Sequence, residues 1–336
     1  MNIAVGILGA EARLRHPVDQ NICDHYLLTG VQECRGKNVQ RYLKLTLENA
    51  GGSISGFVWP EFLAHITCPP VHSPVLVRGQ TQIFNGNTQL RVESLTALHA
   101  NETPSATALL SRQRCPTPAV PALDRLAELE ASLPAPLDSF LRGVLLDPRI
   151  LPGLLTCRAS VSHHHAFPGG LLVHSTAMLT LAAELTRSIV PDDPWSPHLA
   201  QLGYLLHDFG KLRSVGASRR PQYPFAVPHE IMTIELLAPH LTWLEQRNLE
   251  LATALRHLLS YLATPHSARK TPALAAAEVV VMLDQLSAAT HNRRSIANLL
   301  AGPSALGMVP GRSCSSPSGP ERLNPSVVAQ NYPRRR

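Results

Sequence analysis

Hydrophobic and polar positions alternate along the first third of the chain. In the run VQRYLKLTLE, Leu43, Leu45 and Leu47 fall on one face of an extended segment, with polar residues between them. A period of two predicts a half-buried β-strand. Similar runs are DHYLLTGVQE, SISGFVW, PVLVRGQTQIF and TQLRVESL, and Asn-Gly-Asn between the last two favours a tight hairpin. Five strands between residues 24 and 96 predict a small barrel.

The pattern changes further along the chain. Residues 101–121 carry four prolines among Ser, Thr and Ala, a composition that favours an extended linker. From residue 122 onward, apolar residues recur at three and four residue steps and prolines mark the breaks, which predicts helices. The expected architecture is multidomain α and β, with a barrel at residues 1–100, the linker, and an all-α domain at residues 122–302.

The last segment, residues 303–336, is rich in Gly, Pro and Ser and has no sustained period, so we expect a disordered basic tail. It holds five arginines and one glutamate, so it accounts for +4 of the formal charge of +6 and leaves the body nearly neutral. No apolar run approaches the roughly 20 residues that span a bilayer, and the six cysteines lack CxxC spacing. These features predict a cytoplasmic protein without a membrane partner.

Histidines concentrate in the helical part, where eleven of the sixteen lie between His163 and His291. His174 shares the apolar side of its predicted helix. The apolar run of the next predicted helix ends just before His207-Asp208. Asp284 lies on the apolar face of a third predicted helix. An inward carboxylate needs a cation or a hydrogen-bond network, because burying it alone costs several kcal/mol.

Two imidazoles and two carboxylates on three helices suit a divalent first-row metal, and one such site explains all four residues. Taken singly, an inward histidine is more often a hydrogen-bonded core residue, and Asp284 pairs as easily with an arginine. The adjacent His207-Asp208 favours the metal.

His174, then HDFGK at residues 207–211, then Asp284 match the H…HD…D signature of the HD-domain metal-dependent phosphohydrolases, which this chain resembles. The string HHHAFPGGLLVHS resembles the segment around the first metal histidine of the YhaM-type 3′→5′ exoribonucleases, which carry an N-terminal OB-fold before an HD domain. The same string also resembles the TraI-type HD core of relaxases of the MobH class. The resemblance covers roughly residues 20–290.

The resemblance implies a five-stranded OB-fold barrel followed by an all-α HD domain that holds one or two divalent ions (Mn, Mg, Fe, Co or Ni). The implied metal ligands are His174, His207, Asp208 and Asp284, with His229 and His257 for a second ion. Tyr261-Leu262 stands where the YhaM-type proteins carry a His-His pair, which departs from a complete dinuclear centre.

Three residues are expected to take part in catalysis. Asp208 would bridge two ions, Lys211 would meet a phosphate, and His165 would touch phosphate or donate a proton to the leaving oxygen. A simpler alternative exists for three of the candidate residues. His229 also fits a solvated helix start, Lys211 a cation at a helix C-terminus, and His165 a capping or packing role.

The barrel is expected to bind single-stranded nucleic acid through aromatic and basic groups on one face: Tyr42, Lys44, Phe57, Trp59 and Arg91. Phe57 and Trp59 fit the barrel core equally well. The leading hypothesis is a metal-dependent phosphodiesterase, a 3′→5′ exonuclease on single-stranded RNA or DNA. The alternatives are an HD-type nucleotidase and a nucleic-acid-binding, relaxase-related accessory of a conjugative element whose HD site is degenerate.

Overall fold

The computed structural model describes residues 19–36, 39–99, 102–162, 165–217, 227–269 and 273–289. The predicted basic tail at residues 303–336 and the first part of the predicted barrel domain lie outside the described residues.

The N-terminal part is a closed five-stranded barrel. Its strands follow the order β1-β2-β3-β5-β4, and only β3 and β5 pair in parallel. A short helix, α1, connects β3 to β4. The expected OB-fold barrel is therefore confirmed. The elements are β1 (Asn21–Arg35), β2 (Arg41–Asn49), β3 (Gly52–Val58), α1 (Pro60–Leu63), β4 (Pro74–Phe84) and β5 (Asn87–Ala97).

Apolar side chains at alternate positions of the strands fill the interior of the barrel. Leu45 and Leu47 are fully buried, and Leu43 is half-buried against the same core. The strand β1 closes the barrel because its first half pairs with β4 and its second half with β2. At Gly79 the register of β4 shifts against β5, and a Cβ there would lie 2.0 Å from the carbonyl oxygen of Arg91. This close approach requires glycine.

The C-terminal part is helical, as expected. Within the described residues, α7 packs against α5, α6, α10 and α11, so it lies at the centre of the helical core. The helices are α2 (Val120–Ser132), α3 (Leu137–Leu145), α4 (Leu151–Leu154), α5 (Gly170–Thr176), α6 (Leu179–Ile189), α7 (Ser196–Leu206), α8 (Lys211–Ser214), α9 (His229–Glu245), α10 (Leu249–Ala263) and α11 (Ala275–Ala289).

None of the helices in the described part combines the length and apolar character needed to cross a bilayer.

The segment expected as an extended linker is instead folded onto the helical core. It contains the 3-10 helices Thr107–Leu109 and Thr117–Ala119 and buries Leu109, Leu110 and Cys115. The prolines favoured an extended chain, but the apolar side chains between them gain more from burial. The placement of a domain boundary in this segment stays a prediction.

A buried carboxylate fixes this segment. Glu130 on α2 accepts hydrogen bonds from the backbone amides of Ala106 and Thr107 at 2.6 and 2.9 Å, and from the hydroxyls of Ser105 and Thr107, both at 2.7 Å. The same segment contacts the barrel, because the amide of Ala50 donates to the carbonyl oxygen of Ala108 at 2.8 Å. Glu130 therefore holds the connection between the barrel and the helices.

Replacing Glu130 tests this role. The substitution Glu130→Ala should lower the free energy of unfolding by about 2–4 kcal/mol, because it leaves buried amide donors without a partner. Urea denaturation measures the change, and Glu128→Ala, an exposed position on the same helix, is the matched control. Equal stabilities for the two variants would show that Glu130 does not hold the segment.

Candidate metal centre

The turn after α7 presents the first pair of ligand candidates. His207 directly follows the last residue of α7, and its Nδ1 lies 2.7 Å from the carbonyl oxygen of Tyr204. A carbonyl oxygen only accepts, so Nδ1 carries the proton and Nε2 keeps its lone pair in the neutral ring. Asp208 follows and is 2 % exposed. Both side chains point inward because the apolar run of α7 ends at the buried Leu205-Leu206.

The short helix α5 places His174 opposite this turn. Gly169 precedes the helix with φ of 80°, a left-handed conformation that favours glycine. His174 is 1 % exposed, and its Nδ1 lies 3.2 Å from the hydroxyl of Ser287 on α11. Its Nε2 therefore faces the Nε2 of His207, at 3.4 Å.

The two carboxylates complete the cluster. Asp284 on α11 places Oδ1 3.3 Å from the Nε2 of His174 and 3.4 Å from that of His207. Asp208 places Oδ2 3.1 and 3.4 Å from the same two nitrogens. The structure thus brings His174, His207, Asp208 and Asp284 together, as the sequence predicts.

The geometry fits a divalent ion. A metal bonded at about 2.1 Å to nitrogen and oxygen separates neighbouring donors by about 3.0 Å in octahedral and about 3.4 Å in tetrahedral coordination. The donor separations here, 3.1 to 3.4 Å, agree with that range. Potential ligand atoms of His174, His207 and Asp284 all lie within 4.8 Å of one another. The described residues therefore contain a candidate His/His/Asp metal site, with Asp208 beside it.

The electrostatics of the cluster favour a cation. Burial raises the pKa of Asp208, but His207, Lys211 and hydrogen bonds with His174 and His229 hold this pKa well below its usual range. Burial likewise raises the pKa of Asp284, and hydrogen bonds with the two histidines lower it overall. Burial lowers the pKa of His174, whereas hydrogen bonds with the two carboxylates raise it to about 9. The carboxylates stay ionised and attract positive charge into the cluster.

Two further predicted residues contact Asp208. The Nε2 of His229, the first residue of α9, lies 2.9 Å from Oδ1 of Asp208. The Nζ of Lys211 lies 2.5 Å from Oδ2 and donates to it. Both oxygens of Asp208 therefore have partners: Oδ2 faces Lys211 and the two histidines of the cluster, and Oδ1 faces His229.

His165 and His257 differ in their relation to the cluster. His165 has φ of 55°, a left-handed conformation uncommon for residues other than glycine, and its ring centre lies 5.9 Å from that of His174. His257 is exposed on α10 and does not line the cavity beside the cluster. The structure does not bring His257 to the predicted second ion, because the inward face of α10 carries leucines instead.

Thr233 was not predicted from the sequence, yet it links two ligand-bearing segments. Its buried hydroxyl lies 2.9 Å from the carbonyl oxygen of His207 and 3.0 Å from that of His229, and it accepts from the amide of Gly210 at 2.8 Å. A Cβ at Gly210 would lie 1.8 Å from the carbonyl oxygen of His229. The only sign of this role in the sequence was the position of Thr233, one helical turn after His229.

The barrel residues predicted to bind nucleic acid share its outer face. The rings of Tyr42 and Trp59 lie 5.1 Å apart between centres, and Phe57 lies 6.2 and 6.0 Å from them. Lys44 pairs with Phe57 across β2 and β3, and Phe57 pairs with Arg91 across β3 and β5. The aromatic side chains are half-buried and lie outside the barrel core, which removes the core alternative.

Arg91 is not a free cation on this face. Its Nη2 lies 3.2 Å from Oε1 of Glu61, and its guanidinium lies over the ring of Phe62 at 5.3 Å. Lys44 is exposed. Of the two basic residues expected on the face, Lys44 is the one available to a phosphate without a competing carboxylate.

Comparisons with known proteins give relatives of low sequence identity. No family model matches the chain. It is 25% identical to the 3'-5' exoribonuclease YhaM of Oceanobacillus iheyensis over 260 residues, 75% of this chain and 78% of that protein. The predicted resemblance to the YhaM-type exoribonucleases is confirmed. The HD-domain and TraI-type resemblances stay predictions.

Two Bacillus relatives give similar values. The chain is 23% identical to the 3'-5' exoribonuclease YhaM of Bacillus velezensis over 61% of its length, and 22% identical to that of Bacillus subtilis over 64%. The matches span 64% and 66% of these relatives, slightly less than two thirds of each.

Thr233 provides a test of how the cluster is held. Thr233→Val removes the hydroxyl and leaves the amide of Gly210 without its acceptor, so we expect metal affinity to fall about 10- to 100-fold. Mn²⁺ titration calorimetry measures this affinity. Thr186→Val is the matched control, because Thr186 is also buried and donates only within its own helix, to the carbonyl oxygen of Ala182. Unchanged affinity in Thr233→Val would contradict a positioning role.

Proposed function

We propose that this protein is a metal-dependent 3′→5′ exonuclease acting on single-stranded RNA or DNA. The cluster of His174, His207, Asp208 and Asp284 carries the proposal, because the separations between its histidine nitrogens and carboxylate oxygens fit a divalent ion. The similarity to proteins named 3'-5' exoribonuclease supports the direction of digestion and the polymeric substrate.

The proposed ligands are the four residues of the cluster, with His229 next to Asp208 for a second ion. A bound divalent ion supplies a polarised phosphoryl oxygen and a water of lowered pKa. The chain's own groups set the conditions for this chemistry. Lys211 and His229 keep Asp208 ionised and oriented, and the carbonyl of Tyr204 keeps Nε2 of His207 directed at the cluster.

His165 is the proposed proton donor to the leaving oxygen. Its ring centre lies 5.9 Å from that of His174, and the ring edge packs against Phe167, which limits its rotation. An imidazole is suited to this role because its ordinary pKa lies near neutral pH. Its positive φ is consistent with a local strain that serves to place the side chain.

The barrel face of Tyr42, Lys44, Phe57 and Trp59 is the proposed path of the strand. Half-exposed rings give bases a surface for stacking, and Lys44 offers a charge to the backbone phosphates. Stacking accepts every base, so we expect little sequence preference. Because the body of the protein is nearly neutral, the rings carry more of the affinity than bulk charge does.

The catalytic proposal is tested with 5′-labelled single strands and Mn²⁺. We expect labelled products that shorten progressively from the 3′ end, and Asp284→Asn should lower kcat at least about 100-fold because a ligand is lost. Asp192→Asn, an exposed position, is the isosteric control. RNA, DNA and a mononucleotide are compared in one assay. Release of phosphate from the mononucleotide alone would favour the nucleotidase, and no metal-dependent cleavage would reject both enzymes.

The barrel face has its own test. Trp59→Ala should raise the Kd for a 20-nucleotide single strand about 5- to 100-fold, since it removes one stacking surface. Hydrolysis of a dinucleotide should stay unchanged, because Trp59 is not among the residues that line the cavity beside the cluster. Fluorescence anisotropy measures binding, and Phe84→Ala, an exposed aromatic at the β4–β5 hairpin, is the control. Equal effects of the two substitutions would contradict a specific binding face.

A further inference from the structure

A cavity of about 150 Å³ opens beside the metal cluster. Its lining includes His207, Asp208 and Asp284 of the cluster, His229 and Glu230 of α9, and Leu262 and Arg269 from the end of α10 and the residues after it. Leu262 offers no ligand atom, and Arg269 is the one arginine or lysine among the lining residues. A cation in a cavity that is also lined by three carboxylates, those of Asp208, Asp284 and Glu230, is unusual unless it pairs with one of them or receives an anion.

Arg269 is held in place by backbone acceptors. Its Nε donates to the carbonyl oxygens of Tyr261 and Thr264, at 3.2 and 3.0 Å. Tyr261 lies in the last turn of α10 and Thr264 directly follows the helix, where carbonyl oxygens are open to side-chain donors. The carbonyl oxygen of Tyr261 also accepts from the amide of Thr264. The guanidinium plane is therefore fixed at one edge, and its two terminal NH₂ groups are the donors that remain.

An aromatic ring supports the guanidinium from one side. The Cζ of Arg269 lies 4.8 Å from the centre of the ring of Tyr261, and the Tyr261 hydroxyl donates to Glu278 on α11. Tyr261 is only 8 % exposed. The contacts between Glu278, Tyr261 and Arg269 therefore connect α11, which carries Asp284, to the arginine across the cavity.

The terminal NH₂ groups of Arg269 have no carboxylate partner within the described part of the chain. Glu278 is engaged by Tyr261, and Glu230, which also lines the cavity, lies 3.4 Å from Nδ1 of His229. A fixed guanidinium with two free NH₂ groups matches the oxygens of a phosphate, which it binds in a bidentate fashion.

We propose that Arg269 is a phosphate-binding residue of this site, which takes the phosphate of the substrate into the cavity between itself and the metal cluster. The inference rests on the proposed function for the identity of the substrate, a nucleic-acid strand. It adds a specific residue that positions the phosphodiester and offsets its negative charge from the side opposite the carboxylates.

Binding of AMP and adenosine in the presence of Mn²⁺ tests the proposal, because the two ligands differ only in the phosphate. By calorimetry, Arg269→Met should raise the Kd for AMP about 10- to 100-fold and leave that for adenosine unchanged. The Kd of Arg269→Lys for AMP should fall between those of the wild type and Arg269→Met, since lysine keeps the positive charge and lacks the paired NH₂ donors of the guanidinium. Metal content should stay at the wild-type value in both variants.

Arg247→Met is the matched control, because Arg247 also stacks on an aromatic ring, 3.9 Å from the centre of Trp243, but lies outside this cavity. If Arg269 only caps α10, both Arg269 variants will be less stable and will keep the wild-type preference for AMP over adenosine, which would overturn the proposal. A wild-type protein without that preference would overturn it as well.

The result separates this proposal from the nuclease proposal. A wild-type protein that binds AMP through Arg269 and cleaves no strand would support the phosphate site and reject the nuclease. A wild-type protein that cleaves strands, with Arg269 variants that bind AMP and cleave equally well, would support the nuclease and reject the phosphate site.

Discussion

The buried carboxylate of Asp208 is the constraint on which the helical part of this protein depends. An ionised carboxylate that is 2 % exposed costs several kcal/mol unless cations and donors surround it. Here α5 supplies His174, the turn after α7 supplies His207, α8 supplies Lys211 and α9 supplies His229. The same contacts that make burial of Asp208 tolerable bring the ligand candidates together, so the fold and the site share one set of interactions.

The surrounding structure keeps these elements close. Gly210 leaves no room for a side chain against α9, and Thr233 joins the backbone on both sides of that contact. On the opposite side, Ser287 holds His174 from α11. A metal would therefore bind to groups that are already oriented, which reduces the entropy lost on binding. Arg269, which is fixed by the end of α10, would likewise present an already oriented group to the phosphate.

Much of this arrangement followed from the sequence. Alternation through Leu43, Leu45 and Leu47 predicted the barrel, and the order of His174, His207-Asp208 and Asp284 predicted the cluster. Tertiary contacts decided the rest. The expected linker folds onto the core because the apolar residues between its prolines are buried there. Hydrogen bonds from the segment to Glu130 hold it in place. The orientation of α10 left His257 exposed. No local pattern distinguished Thr233, whose partners His207 and Gly210 lie more than 20 residues earlier in the chain. Arg269 is held by the nearby Tyr261 and Thr264, but only the fold brings it to the same cavity as the cluster.

The most direct test of the account is the metal content of the purified protein, measured by inductively coupled plasma mass spectrometry after incubation with Mn²⁺, Fe²⁺, Co²⁺ or Ni²⁺ and removal of the excess. We expect one or two tightly held ions per folded chain, and loss of the ion in His207→Gln with the helical content preserved. A folded wild-type protein that retains none of these metals, or a His207→Gln variant that retains as much as wild type, would contradict it.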